Sequence, residues 1–261
     1  MATTKVDVNL IDASGITSSK YLKGDGTWGT VDALPSQTSQ SGKFLTTDGS
    51  AASWATAGGG GLAGVQVYTS GGTWTKSTRE SALGVTITKL IVEVQGGGGS
   101  GNREDATDNN NSAGGGGGYA KKLLDVTNID TATVVVGIGG PAQASNGSAG
   151  TDGGISSFAK ATGSGSFTTI TANPGSGGST SSIAPSEGGT ATGGDINVQG
   201  GVGASQIMGH PAGGSILGNA GKSQPNSSLT DGRGYGSGGG SGRGQASGAG
   251  GPGIVIVWEY Q

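Results

Sequence analysis

Apolar residues recur at every second position or in short unbroken blocks, and glycine separates the blocks. The stretch 85–94 (Val-Thr-Ile-Thr-Lys-Leu-Ile-Val-Glu-Val) alternates and then turns largely apolar, which predicts a strand with one buried face. The stretch 253–260 (Gly-Ile-Val-Ile-Val-Trp-Glu-Tyr) reads as a buried strand. Short strands are expected at 65–68 and 73–75, and further ones at 119–126, 131–137, 154–158 and 166–172. Helix caps followed by a 3.6-residue period are nearly absent, and the one short candidate is 77–83. The pattern predicts an all-β fold: a β-sandwich-like domain with glycine-rich excursions between its strands.

Glycine changes that picture most. It fills 60 of 261 positions, with uninterrupted runs at 96–99 and 114–118. Disordered chains combine few apolar residues with high net charge, whereas this chain carries only −3. A disordered glycine tract also has no use for the apolar strand at 253–260. Collagen is excluded, because only seven prolines occur and no glycine triplet is sustained. Two readings stay open. Glycine-rich polyproline II helices can pack side by side and hydrogen-bond laterally, or the segments are flexible loops. The pairs at 188–189, 193–194, 200–201 and 213–214 suit a packed helix. The alternation of glycine from 232 to 244 leaves no clean glycine face.

The first 57 residues carry a repeat. Lys20-Tyr21-Leu22-Lys23-Gly24-Asp25-Gly26-Thr27-Trp28-Gly29-Thr30 aligns with Lys43-Phe44-Leu45-Thr46-Thr47-Asp48-Gly49-Ser50. Three inserted residues follow in the second copy, and then Trp54-Ala55-Thr56. Asp-Gly between apolar arms signals a hairpin. Isolated hairpins are marginal in water, so Tyr21, Leu22, Trp28, Phe44, Leu45 and Trp54 are expected to bury against sister chains in an intertwined stalk over 1–57. Two surface hairpins on a larger domain are the alternative. A glycine linker is expected at 58–61, followed by the sandwich domain over 62–261.

Composition narrows the chemistry. The small acidic charge argues against nucleic-acid binding by phosphate neutralisation. The absence of cysteine excludes disulfides and thiolate metal sites. No apolar leader stands at the N-terminus and no run of 18 apolar residues occurs, so a chain made in the cytoplasm without membrane insertion is expected. Gly-x-Gly-x-x-Gly strings occur without a following helix pattern and do not predict a nucleotide site. The single histidine, His210, cannot build a zinc site alone. No Gly-x-Ser-x-Gly elbow exists, and nothing fixes Glu187 and Asp195 as a carboxylate pair. No enzyme activity, metal or cofactor is expected. Gly232-Arg233-Gly234-Tyr235 and Gly242-Arg243-Gly244 echo RNA-binding segments, but two arginines in an acidic chain more readily decorate the glycine-rich domain.

Residues 21–28 resemble a repeat common in bacteriophage tail fibres. Residues 90–99, 114–123, 133–140 and 250–257 resemble a glycine-rich domain found at the C-termini of phage fibres and some bacterial surface proteins. The resemblance implies a homotrimeric fibre on the virion, joined to other tail or baseplate proteins. Glycine-rich helices in its distal domain would hold variable loops at one end. Loops on a rigid scaffold carry binding residues, which points to 102–112, 141–149, 204–212 and 222–231. Candidates for contact with a host glycan, lipopolysaccharide or outer-membrane protein are Arg103, Asp105, Asn109, Asn110, His210, Gln224, Asn226, Arg233 and Tyr235. A bacterial glycine-rich surface protein, a fibre-borne depolymerase and an RNA-binding protein are the rival expectations.

Overall fold

The computed structural model describes residues 20–24, 27–30, 35–56, 60–105, 111–180, 185–205, 211–222 and 231–261. The chain divides into two compact units, residues 1–59 and 60–261.

In the first unit, β1 (Lys20–Leu22) pairs antiparallel with β2 (Trp28–Thr30), and β3 (Lys43–Thr47) with β4 (Ala52–Thr56). The register sets Leu22 opposite Trp28 and Leu45 opposite Trp54, so the repeat in sequence is a repeat in structure. The second turn shows why Asp-Gly stands there. The Asp48 carboxylate accepts the amides of Ser50 at 2.8 Å and Ala51 at 3.0 Å. Gly49 takes the left-handed conformation at φ 92° that the turn requires. The same amides hold the Asp48 pKa below the ordinary carboxylate value. Tyr21, Phe44 and Leu45 are exposed, while the partly buried Trp54 donates its indole N–H to the Pro35 carbonyl at 3.0 Å.

The second unit is a sandwich of two five-stranded antiparallel sheets. Its strands are β5 (Leu62–Tyr68), β6 (Gly72–Thr75), β7 (Lys89–Gln95), β8 (Arg103–Glu104), β9 (Tyr119–Asp125), β10 (Thr131–Val135), β11 (Ser156–Thr162), β12 (Ile170–Ala172), β13 (Ala191–Thr192), β14 (Ile196–Val198), β15 (Gly218–Asn219), β16 (Arg233–Gly234), β17 (Gly242–Arg243) and β18 (Ile254–Tyr260). One sheet has the order β14-β9-β7-β18-β5 and the other β13-β12-β11-β10-β6. Alternation along β7 sends Leu90, Val92 and Val94 inward, where they meet Val255, Val257, Trp74, Val134, Phe158 and Ile170. Each fully buried large side chain contributes about 1.5–3 kcal/mol.

The helix candidate forms as α1 (Lys76–Leu83), closed where the Gly84 amide returns to the Glu80 carbonyl. Its exit explains why β7 starts at Lys89 rather than at 85. The Ile87 amide is taken by the Glu80 carboxylate at 2.8 Å rather than by a neighbouring strand, and the Ile87 side chain enters the core. Beside them the fully buried Glu259 accepts the Trp74 indole N–H at 2.9 Å and a bidentate Arg79 guanidinium, with Nη2 at 2.6 Å.

The glycine-rich excursions leave the sheets and pack as a bundle of extended helices. Amides of 96, 99 and 102 donate to carbonyls of 118, 115 and 112, those of 97, 100 and 103 to 154, 151 and 148, and those of 98 and 101 to 251 and 248, all at 2.9–3.1 Å. The partner changes at each residue and returns at the third, as a threefold helix requires. Carbonyls of 97 and 100 accept from 175 and 178, those of 99 and 102 from 239 and 242, and that of 98 from 140. The helix 96–102 therefore has six neighbours. The helix 113–118 has six as well, pairing with 201–204, 236–239, 173–176, 96–102, 189 and 213.

Hexagonal surroundings explain the two uninterrupted runs. A Cβ at Gly97, Gly98, Gly99 or Gly116 would stand 2.0–2.2 Å from a neighbouring carbonyl oxygen. Outer helices have an open side, and Ile138 stands there between two glycines, 73% exposed. The alternation at 232–244 mixes two uses. Gly234, Gly236 and Gly244 turn the chain at φ 84°, 74° and 70°, while Gly238, Gly239 and Gly242 are crowded inside the bundle. The lateral bonding settles the glycine question for packed helices.

Candidate functional site

The ladders define two ends of the bundle. Gly96 meets Gly118 beside the sheets, at the junction with β7 and β9, whereas Asn102 meets Ser112 where the excursion turns back. The other excursions run the same course, so the turns near 103, 141–148, 179 and 241–247 gather at the end away from the two five-stranded sheets. Buried polar groups fix the base of this end. The Asn102 side-chain oxygen accepts the Ser112 amide at 2.8 Å, and its amide nitrogen donates to the Ser179 carbonyl at 3.0 Å. The Ser112 and Ser186 hydroxyls meet at 3.1 Å, and Ser186 donates on to the Gly177 carbonyl.

Above the base, three loops are tied together. β8 pairs in parallel with β17, placing Arg103 beside Gly242 and Glu104 beside Arg243. The Arg103 guanidinium donates to the Ala144 carbonyl, and the Asn146 amide donates to the Asp105 carboxylate. Gln143 and Ser247 exchange two bonds: the Gln143 amide to the Ser247 hydroxyl at 2.8 Å, and the Ser247 amide to the Gln143 carbonyl at 3.0 Å. Guanidinium, carboxylate and amide groups thus share one end, with Asp105 and Asn146 exposed, Arg103 and Gln143 half-buried and Ser247 buried beneath them. Such a set hydrogen-bonds sugars or a polar protein loop, and charge-assisted bonds from arginine suit anionic groups.

Of the residues singled out from sequence, Arg103 and Asp105 come together here. Arg233 and Tyr235 do not join them. β16 pairs with β15, and Tyr235 precedes Gly236, whose bonds to Gly117 and Pro252 place it beside the sheet end of the bundle. Asn109, Asn110, His210, Gln224 and Asn226 lie outside the described residues. Gln143, Asn146 and Ser247 were not individually legible. Their only signal is that glycine lapses between two stretches that pair antiparallel.

Glu187 and Asp195 have separate duties. Glu187 lends its carbonyl to the Ser176 amide at 3.0 Å. The exposed Asp195 carboxylate accepts the Leu123 amide at 2.9 Å and the Lys122 ammonium at 3.3 Å, and these bonds lower its pKa. Among the described residues no three metal-ligating side chains gather, and no helix is long and apolar enough to cross a membrane.

A family model described as a glycine-rich domain matches residues 82–260, a span that takes in the whole bundle and every sandwich strand from β7 onward. No curated protein matches the chain.

Proposed function

The chain belongs to the glycine-rich domain family, and from that premise we propose that it is a bacteriophage tail-fibre adhesin that attaches the virion to a host surface without covalent chemistry. The observation that carries the reading is the bundle's turning end. Polar loops at Arg103–Asp105, 141–148 and 241–247 are held by backbone and side-chain bonds above a buried polar base. Preorganised loops lose little entropy on binding. Arg103, Asp105, Gln143 and Asn146 are the contacts favoured for a host glycan, lipopolysaccharide or outer-membrane protein.

The hairpins of residues 20–56 belong to the same reading. They leave Tyr21, Phe44 and Leu45 exposed, which favours burial against sister chains in a homotrimeric stalk. Three weak sites on one trimer then gain avidity through effective concentration.

The test is adsorption of the fluorescently labelled full chain to a panel of bacterial strains. Saturable binding to a narrow subset is expected, with at least a tenfold loss when Arg103 and Gln143 are both changed to Ala in a variant of unchanged circular dichroism. Binding to no strain, or equal binding by the variant, would count against the assignment.

A further inference from the structure

The outward face of the β14-β9-β7-β18-β5 sheet carries a broad apolar patch. The strand registers place Leu62, Val65 and Val67 on β5, Ile256, Trp258 and Tyr260 on β18, Ile91 on β7, Leu123 on β9 and Ile196 on β14 side by side on that outer surface. Val67, Leu123 and Ile196 are 58%, 55% and 53% exposed. The other sheet behaves differently. Its outward face is mostly polar, with Thr73, Thr75, Thr131, Thr133, Ser157 and Thr171, and Val135 and Ala159 as its apolar positions. An apolar patch of this kind on the outward face of an antiparallel sheet marks a covered surface.

We infer that this face is an interface between copies of the same chain. Charge is the first reason. The ionic groups on the face already satisfy one another: Glu93 accepts the Lys121 ammonium at 3.1 Å, the Tyr119 hydroxyl at 2.9 Å and the Trp258 indole N–H at 3.2 Å. Lys89 and Asp125 stand opposite each other in the β7–β9 register, again one of each sign. The face has no excess charge that would call for an oppositely charged partner.

Size is the second reason. Five strands spaced about 4.8 Å apart, with up to seven residues rising about 3.3 Å each, make a face of roughly 500 Å². Two such faces together bury about 1,000 Å², the lower bound for a specific interface. Shape is the third. A shallow hollow of about 210 Å³ between Lys89, Ile91, Leu123 and Tyr260 can seat a side chain from the facing copy.

The inference is separate from the homotrimeric stalk, because two like faces join copies in pairs, and it is independent of what the assembly binds. Because the chain has no cysteine, one introduced thiol reports a single position. Full-length Leu123→Cys and Thr133→Cys, the latter on the opposite sheet, would be treated with a short bis-maleimide and run on denaturing gels. Covalent dimers from Leu123→Cys alone are expected. A companion Leu123→Glu variant, with unchanged circular dichroism, is expected to raise the concentration needed for association at least tenfold by light scattering. An oligomer that fails to cross-link through position 123 overturns the inference and leaves the adhesin reading standing. A monomer at all concentrations overturns both the inference and the proposed homotrimer.

Discussion

Adding one methyl group at Gly99 tests the packed bundle more sharply than any loop substitution. In Gly99→Ala the new Cβ would stand 2.2 Å from the Ser176 carbonyl oxygen and 2.4 Å from its carbon. To reach ordinary contact, the helix through Ser176 must withdraw by about 1 Å, which takes a hydrogen bond beyond its useful range. Two bonds are at risk, Gly115 amide to Ser176 carbonyl at 2.8 Å and Ser176 amide to Glu187 carbonyl at 3.0 Å. Each buried group left unpaired costs about 1–3 kcal/mol, and overpacking adds about 1–3 kcal/mol. Loss of glycine's freedom in the unfolded chain returns only about 0.4–1 kcal/mol. The net expectation is a destabilisation of about 2–8 kcal/mol, set against the roughly 5–15 kcal/mol that holds a domain folded. Gly214 is the control. It lies in the same bundle and accepts the Gly201 amide at 2.8 Å, yet a Cβ there meets nothing within 4 Å. Gly214→Ala should be neutral or stabilise by up to about 1 kcal/mol. Guanidinium unfolding followed by circular dichroism reads both variants, with the midpoint of Gly99→Ala falling at unchanged slope. If the two variants unfold within about 1 kcal/mol of each other, glycine serves flexibility here and the hexagonal packing is wrong.

Arg79→Met should cost about 3–5 kcal/mol, because it leaves the buried Glu259 carboxylate without its cation. Adding Glu259→Gln should recover most of that loss, since the amide oxygen still accepts from Trp74, and thermal unfolding of the single and double variants reads the difference. Burial raises the pKa of both Tyr68 and Tyr119, and the Glu93 hydrogen bond raises that of Tyr119 further. The folded chain therefore holds these two protons more tightly than the unfolded chain, and this stability is present below about pH 10 and lost as pH rises through the folded values. Absorbance at 295 nm should show Tyr68 and Tyr119 ionising later in the folded than in the unfolded chain, and identical titrations of the two states would contradict the burial. At the acid end, Asp48, Asp125 and Asp195 all have lowered pKa values. Their contribution is present above about pH 4 and is lost as pH falls through the folded values, so the melting temperature should begin to drop only below about pH 4.

The strands were legible where a period of two met an apolar face, as in β7 and β18, and the repeat at 20–30 and 43–56 announced its hairpins. Residues 85–88 read as strand because their β-branched alternation is genuine. What diverts them is a tertiary bond, from the Ile87 amide to Glu80. The bundle was legible in composition but not in geometry. Gly96, Gly97 and Gly98 pair with residues 118, 154 and 251, and glycine carries no side chain to mark which face meets which partner. The two central helices are nonetheless written in the sequence, because six close neighbours leave no room for a Cβ at 96–99 and 114–118, and side chains enter only toward the turning end, at Ser100, Asn102 and Ala113. The site was half legible for a related reason. Arg103 and Asp105 stand where glycine lapses at the turning end, but so in sequence do Arg233 and Tyr235. Only the pairing of Gly236 with Gly117 and Pro252 sets those two at the opposite end.

A rigid glycine bundle is the premise on which loop presentation stands, and amide hydrogen exchange measures it directly. The amides of 96–99 and 114–118 are each bonded to a neighbouring helix, so they should exchange as slowly as those of β7 and β18. Exchange within seconds at neutral pH, as in solvated loops, would contradict the bundle and with it the rigid display of the turning end.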